Sequence, residues 1–98
     1  MESHFKHAKI LFKKGKINEA KYICEKILKK ENKHIQSLHM LSLIALQSNK
    51  YNESIKLIDK SIKLKSNESS FYFIKGLALH ELGFFDKSID NFNKAIKL

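Results

Sequence analysis

The sequence predicts an all-α solenoid of three stacked helix–turn–helix units, and three observations carry that prediction. Gly15, Asn49 and Gly83 stand 34 residues apart. The segments they open echo one another without a gap: Gly15-Lys16-Ile17-Asn18-Glu19-Ala20, then Asn49-Lys50-Tyr51-Asn52-Glu53-Ser54, then Gly83-Phe84-Phe85-Asp86-Lys87-Ser88. No run of the chain shows the strict alternation of a strand. A fixed period of roughly 20–50 residues marks an array in which each unit buries its apolar face against the next.

The spacing predicts helices over about 2–14, 18–30, 34–48, 52–64, 68–82 and 86–98, with limits good to roughly two to four residues. Gly and Asn readily take the left-handed conformation that ends a helix. Asn18, Asn52 and Asp86, three residues further on, are preferred N-caps, so each unit carries a stop and a restart. The first and second helices of each unit approach closely where small residues recur in phase, at Ala8, Ser42 and Gly76 and at Ala20, Ser54 and Ser88. Large apolar residues recur on the second helices: Ile17, Tyr51 and Phe85; Cys24, Ile58 and Phe92; Leu28, Ile62 and Ile96. The third helix, Leu38-His39-Met40-Leu41-Ser42-Leu43-Ile44-Ala45-Leu46, is apolar almost all round. Such a helix is buried on several sides, as a helix in the middle unit is.

Ninety-eight residues form one domain with units 1–34, 35–68 and 69–98 and no C-terminal capping helix. A repeat core needs about three units, which this chain just reaches. No stretch has the length of a signal peptide's apolar run or a membrane span. The single cysteine excludes an intramolecular disulfide framework, so a cytoplasmic setting is expected. The net charge is +9, and all 19 basic residues are lysine. Arg, Pro, Val, Thr and Trp are absent, while Lys, Ile and Asn make up 38 residues, a skew that matches AT-rich coding. The first unit holds ten Lys against four acids, a balance of +6, and the others hold +2 and +1. A lysine-only surface without a stacking motif reads first as a solvated face.

Nothing assembles into a catalytic site. No paired carboxylates, nucleophile–base arrangement or phosphate-cradling loop is present, and the chain reads as a non-enzyme without a cofactor. His4 and His7 lie one turn apart with Cys24 opposite, but metal sites need three or four ligands and a supporting shell. No metal is therefore expected, and Cys24 reads as a buried, inert thiol.

The 34-residue helix pair, its phase and its small-residue positions resemble the tetratricopeptide repeat. The resemblance covers two complete repeats and most of a third. The aromatic expected early in the first helix is present only as Tyr72, with His4 and Leu38 elsewhere, and the junction proline is replaced by Asn32 and Ser66. In that family the first helices line a concave groove. Carried onto this chain, the groove positions are Glu2, Phe5, Lys9, Phe12 and Lys13; Gln36, His39, Leu43, Leu46 and Gln47; and Ser70, Phe73, Leu77, His80 and Glu81. His39 and His80 would be contact residues, and Leu43, Leu46 and Leu77 would serve either the groove or helix burial. The family's clamp for the acidic C-terminal tail of heat-shock chaperones falls on Phe5, Lys9, Met40, Ser70 and Ile74, with one cation among them, so that partner is not expected. The phrase from Leu38 to Gln47 also resembles the leading repeats of bacterial arrays that precede transferase domains.

Three functions stand as expectations. The leading one is a scaffold holding a partner peptide or helix in the concave groove. The second is a targeting or substrate-presenting fragment of a larger transferase. The third is a weak electrostatic adaptor for nucleic acid or an anionic membrane, disfavoured because arginine and an exposed aromatic platform are missing. Self-association through the third unit is expected as well. Leu28 and Ile62 sit where a following unit covers them, whereas Ile96, with Leu82 and Leu98, has no such cover, and an open solenoid end favours association.

Overall fold

The computed structural model describes residues 2–98 as α1 (Glu2–Lys13), α2 (Ile17–Lys30), α3 (Ile35–Gln47), α4 (Tyr51–Leu64), α5 (Ser69–Glu81) and α6 (Phe85–Lys97). No strand occurs among the described residues. Every expected helix is present, and no limit departs from expectation by more than one residue. The helices pair as α1–α2, α3–α4 and α5–α6, and the pairs stack through α2–α3 and α4–α5 into a body of 38 × 24 × 20 Å.

The turn within each pair is closed by backbone geometry. Gly15, Asn49 and Gly83 adopt φ of 81°, 63° and 86°. Their N–H groups donate to Phe12, Leu46 and His80, and the next residue donates further back, Lys16 to Leu11 at 2.9 Å, Lys50 to Ala45 at 2.8 Å and Phe84 to Leu79 at 2.9 Å. This pair of bonds is the Schellman closure. The carbonyls of Lys16, Lys50 and Phe84 then accept from Ala20, Ser54 and Ser88. One residue per repeat thus ends the first helix with its N–H and starts the second with its C=O. The expected N-caps are corrected accordingly: Asn18, Asn52 and Asp86 lie inside the first turn, and the capping positions are Lys16, Lys50 and Phe84, without side-chain caps. The backbone has no room for the longer connection that a cap at 18, 52 or 86 requires.

The turns between repeats lack proline and are held by side chains. His34 Nδ1 accepts from the Ser37 N–H at 3.2 Å, capping α3, and its ring meets Phe5 edge-on with centroids 5.4 Å apart. At the second junction Lys65 pairs with Glu68 at 2.9 Å, and the Tyr72 hydroxyl donates to the Ser66 carbonyl at 2.7 Å.

The paired helices meet at the expected small residues. Ala8 and Ala20 are fully buried, as are Ser42 and Ser54. The Ser54 hydroxyl donates to the Ser42 carbonyl at 2.9 Å, and 34 residues later Ser88 donates to the Gly76 carbonyl at 2.8 Å. A Cβ on Gly76 would stand 2.5 Å from the Phe92 ring, so the largest residue at that core position goes with the smallest facing one. One apolar cluster joins the first two repeats through Phe5, Cys24, Ile27, Met40, Leu41 and Ile44. A second joins the last two through Ile58, Phe71 and Ile74, with Leu43, Leu46 and Ile62 against it. Leu28 and Ile62 are covered by the repeat that comes after them. α3 is buried on most sides, as its composition requires.

Two consequences are measurable. Gly76→Ala gains up to about 1 kcal/mol of helix propensity but overpacks Phe92, which costs about 1–3 kcal/mol, so urea unfolding should show a net loss. Combining it with Phe92→Leu should cost less than the two single losses added, by about 0.5 kcal/mol or more; strict additivity would contradict the contact. Cys24 Sγ lies 3.5 Å from Met40 Sδ, and burial pushes the thiol up to about 11 from 9.0. Because the folded value is the higher, the protonated thiol favours folding below pH 9, and that contribution is lost as pH rises toward 11. The stability advantage of wild type over Cys24→Ala should shrink across that window, and a constant advantage would refute it.

Candidate interaction surface

α3 and α5 touch directly, while α2 and α4 are splayed over a cleft of about 260 Å³ that reaches down to Leu41, Ile44 and Ala45. The first helices therefore form the inner, concave side. Along it, Lys9, Gln36, Gln47, His80 and Glu81 are exposed or half-buried, and Phe12, Leu43, Leu46 and Leu77 are half-buried. Phe12, Leu43 and Leu46 each keep one side against an apolar cluster. They form a floor that is packed from below and open from above. Lys9 and Lys13 lie at the first-repeat end and Glu81 at the third.

Phe5, His39 and Phe73 occupy one repeat position but three environments. Phe5 is 6% exposed and belongs to the core beneath His34, so it is corrected from groove contact to core residue. His39 is half-buried, edge-on to Phe71 at 5.1 Å. Burial holds its pKa below the usual histidine range, with Glu68 opposing in part, so the ring is neutral at pH 7. Phe73 is 52% exposed and leans on Phe92 with centroids 5.7 Å apart. The first two are covered by the next repeat in the stack, and no further repeat covers Phe73 among the described residues.

Phe73 therefore opens a second surface at the third-repeat end. With Ser69, Ser70, Phe92, Ala95 and Ile96 it lines a depression of about 540 Å³. Phe85, Ile89, Phe92 and Ile96 stand at i, i+4, i+7 and i+11, one stripe along α6. Phe85 is 56%, Ile89 55% and Ile96 81% exposed. Ile96 was expected here; Phe85, Ile89 and Phe73 were not, although the helical spacing of the first two is legible in the sequence. Leu82 and Leu98 are corrected off the stripe. Leu82 is half-buried in the α5–α6 connection, and Leu98 is two residues past Ile96, on the far side of the helix at 3.6 residues per turn. His80 meets Phe85 edge-on at 5.2 Å, so the concave face and the end surface are continuous.

The clamp positions divide the same way. Phe5, Met40 and Ile74 are buried, leaving Lys9 and the half-buried Ser70. His4 and His7 are exposed while Cys24 is fully buried, and no group of three or more His, Cys, Asp or Glu converges among the described residues.

Comparison with known proteins fits this geometry. Residues 13–95 match the family model described as anaphase-promoting complex, cyclosome, subunit 3, a model of tetratricopeptide type. TPR repeat-containing protein MJ1428 of Methanocaldococcus jannaschii is 37% identical over 76 residues, which are 78% of this chain and 13% of that protein. A mutant O-GlcNAc transferase of Thermobaculum terrenum superposes with a TM-score of 0.93 at 20% identity, over 98% of this chain and 18% of that one. The second TPR of Spaghetti (RPAP3), bound to HSP90 peptide SRMEEVD, gives 0.91 at 21% identity over 98% of this chain and 89% of that one. At these identities the two structures speak to the fold alone. Three helix pairs in a 34-residue register, matched by the family model over 13–95, make the chain a member of the tetratricopeptide repeat family with about three repeats.

Proposed function

We propose that the chain is a non-catalytic protein-interaction module that holds an extended or helical peptide along its concave face. The observation that carries this reading is the floor of Phe12, Leu43, Leu46 and Leu77, half-buried side chains from all three first helices. Side chains packed from below are already ordered, so a partner that covers them loses little further conformational entropy. The Lys9 and Lys13 rim favours a peptide with apolar anchors and an acidic end over the first repeat. A heat-shock tail held by a two-carboxylate clamp remains disfavoured, since Lys9 is the one cation at the clamp positions.

A second reading, a non-catalytic arm of a larger protein, is favoured by the share of the relatives that the chain spans, 13% of the archaeal protein and 18% of the transferase. Both readings use the same face. No helix among the described residues is long and apolar enough to cross a membrane.

Selection of a random peptide library against the 98-residue chain tests the first reading. Enriched peptides should pair apolar anchors with an acidic end. The double variant Lys9→Glu/Lys13→Glu should lose them by about tenfold or more with unchanged helical circular dichroism. Failure to enrich any motif, or binding indifferent to those substitutions, would contradict the proposal.

A further inference from the structure

We infer that the end surface of the third repeat is an isologous dimer interface, in which α6 of one copy lies antiparallel on α6 of a second. The inference is independent of the concave-face reading. It starts from the stripe of Phe85, Ile89, Phe92 and Ile96, to which Phe73 adds an aromatic edge. The same positions on α4 are Tyr51, Ile55, Ile58 and Ile62, and none of these is exposed. α5 covers that stripe with Phe71 and Ile74, and Lys75 bridges to Asp59 at 2.8 Å. The α6 stripe is as apolar as the covered one and has no cover among the described residues.

The molecule's other end does not supply the cover. Helices that cover a stripe present Phe71, Ile74 and Ala78 from α5, or Met40, Leu41 and Ile44 from α3. At the equivalent places α1 presents Ser3, Lys6, His7 and Ile10, all exposed. Head-to-tail stacking would set a lysine and a histidine against Phe85 and Ile89, so an open filament is disfavoured.

Charge selects a second copy of α6 in one orientation. Asp86, Asp90, Asn93 and Lys97 run along the outer flank of the stripe, acidic at the start of the helix and basic at its end. A two-fold axis between Ile89 and Phe92 brings Phe85 opposite Ile96 and Ile89 opposite Phe92 of the second copy. It also brings each Asp86 beside the other copy's Lys97. A parallel arrangement would instead set Asp86 against Asp86 and Lys97 against Lys97. Each half-exposed large side chain offers on the order of 100 Å², so five give roughly 500 Å². With the charged flank this approaches the ~800 Å² per partner of a stable interface.

Light scattering behind gel filtration, over a concentration series of the whole chain, tests the interface. Wild type should move from monomer to dimer and no further. Ile96 enters the interface twice, so Ile96→Lys should weaken the dimer about a hundredfold or more. Ile89→Lys should do the same, with helical circular dichroism retained in both because these side chains are exposed. Asp86→Lys and Lys97→Asp should each weaken dimerisation about tenfold, and the double swap should return it to within a few-fold of wild type. A wild type that stays monomeric to its solubility limit would overturn the inference. So would growth beyond the dimer, indifference to Ile96→Lys, or a double swap that stays as weak as its parents.

Discussion

Close approach between the two helices of each repeat is the constraint on which the rest of the architecture depends. Ala8 against Ala20, Ser42 against Ser54 and Gly76 against Ser88 set how near the paired helices come. In the second and third repeats a serine hydroxyl bridges to the facing backbone carbonyl, which a larger residue would hold out of reach. The same spacing decides what fits beside the contact. Cys24, Ile58 and Phe92 fill equivalent core positions, and the ring of Phe92 occupies the place where Gly76 has no side chain. Interiors packed to crystal-like density tolerate such changes only in compensating pairs.

Helices held this close can be joined only by a very short turn. Gly15, Asn49 and Gly83 supply it through their left-handed backbones, and the next residue serves both helices at once. Within the repeats the backbone carries the turn; between them, side chains do, through His34 at one junction and Lys65, Glu68 and Tyr72 at the other. Stacking then grades exposure along the array. Phe5 is core, His39 is a seam residue, and Phe73 is surface, one repeat position read at three depths. Function in such a scaffold resides on its surfaces. The concave floor and the α6 stripe are the two places where apolar side chains are both ordered and open.

Most of the fold was legible because a 34-residue period is self-checking, each stop signal and small residue confirming the others in phase. The N-caps were misplaced because Asn and Asp are good caps in isolation, whereas here the Schellman closure fixes the cap one residue after Gly15, Asn49 and Gly83. The surfaces were less legible than the core. A groove register carried from a family gives positions and no depth, so Phe5 and Phe73 read alike until stacking separates them. Ile96 could be placed by analogy with Leu28 and Ile62, and Leu82 and Leu98 were drawn in by hydrophobicity alone. Helical phase excludes those two and adds Phe85 and Ile89.

The claim that size at the helix contact governs the repeat, with the hydrogen bond secondary, is tested most directly at Ser54 in the middle repeat. Urea unfolding of Ser54→Ala and Ser54→Val separates the two effects. Alanine keeps the volume and removes the bond to Ser42, which should cost about 1 kcal/mol, as the bond-free Ala8–Ala20 contact implies. Valine adds bulk at a fully buried site, so overpacking adds about 1–3 kcal/mol to that loss. A valine variant as stable as the alanine variant, or more so, would contradict the account.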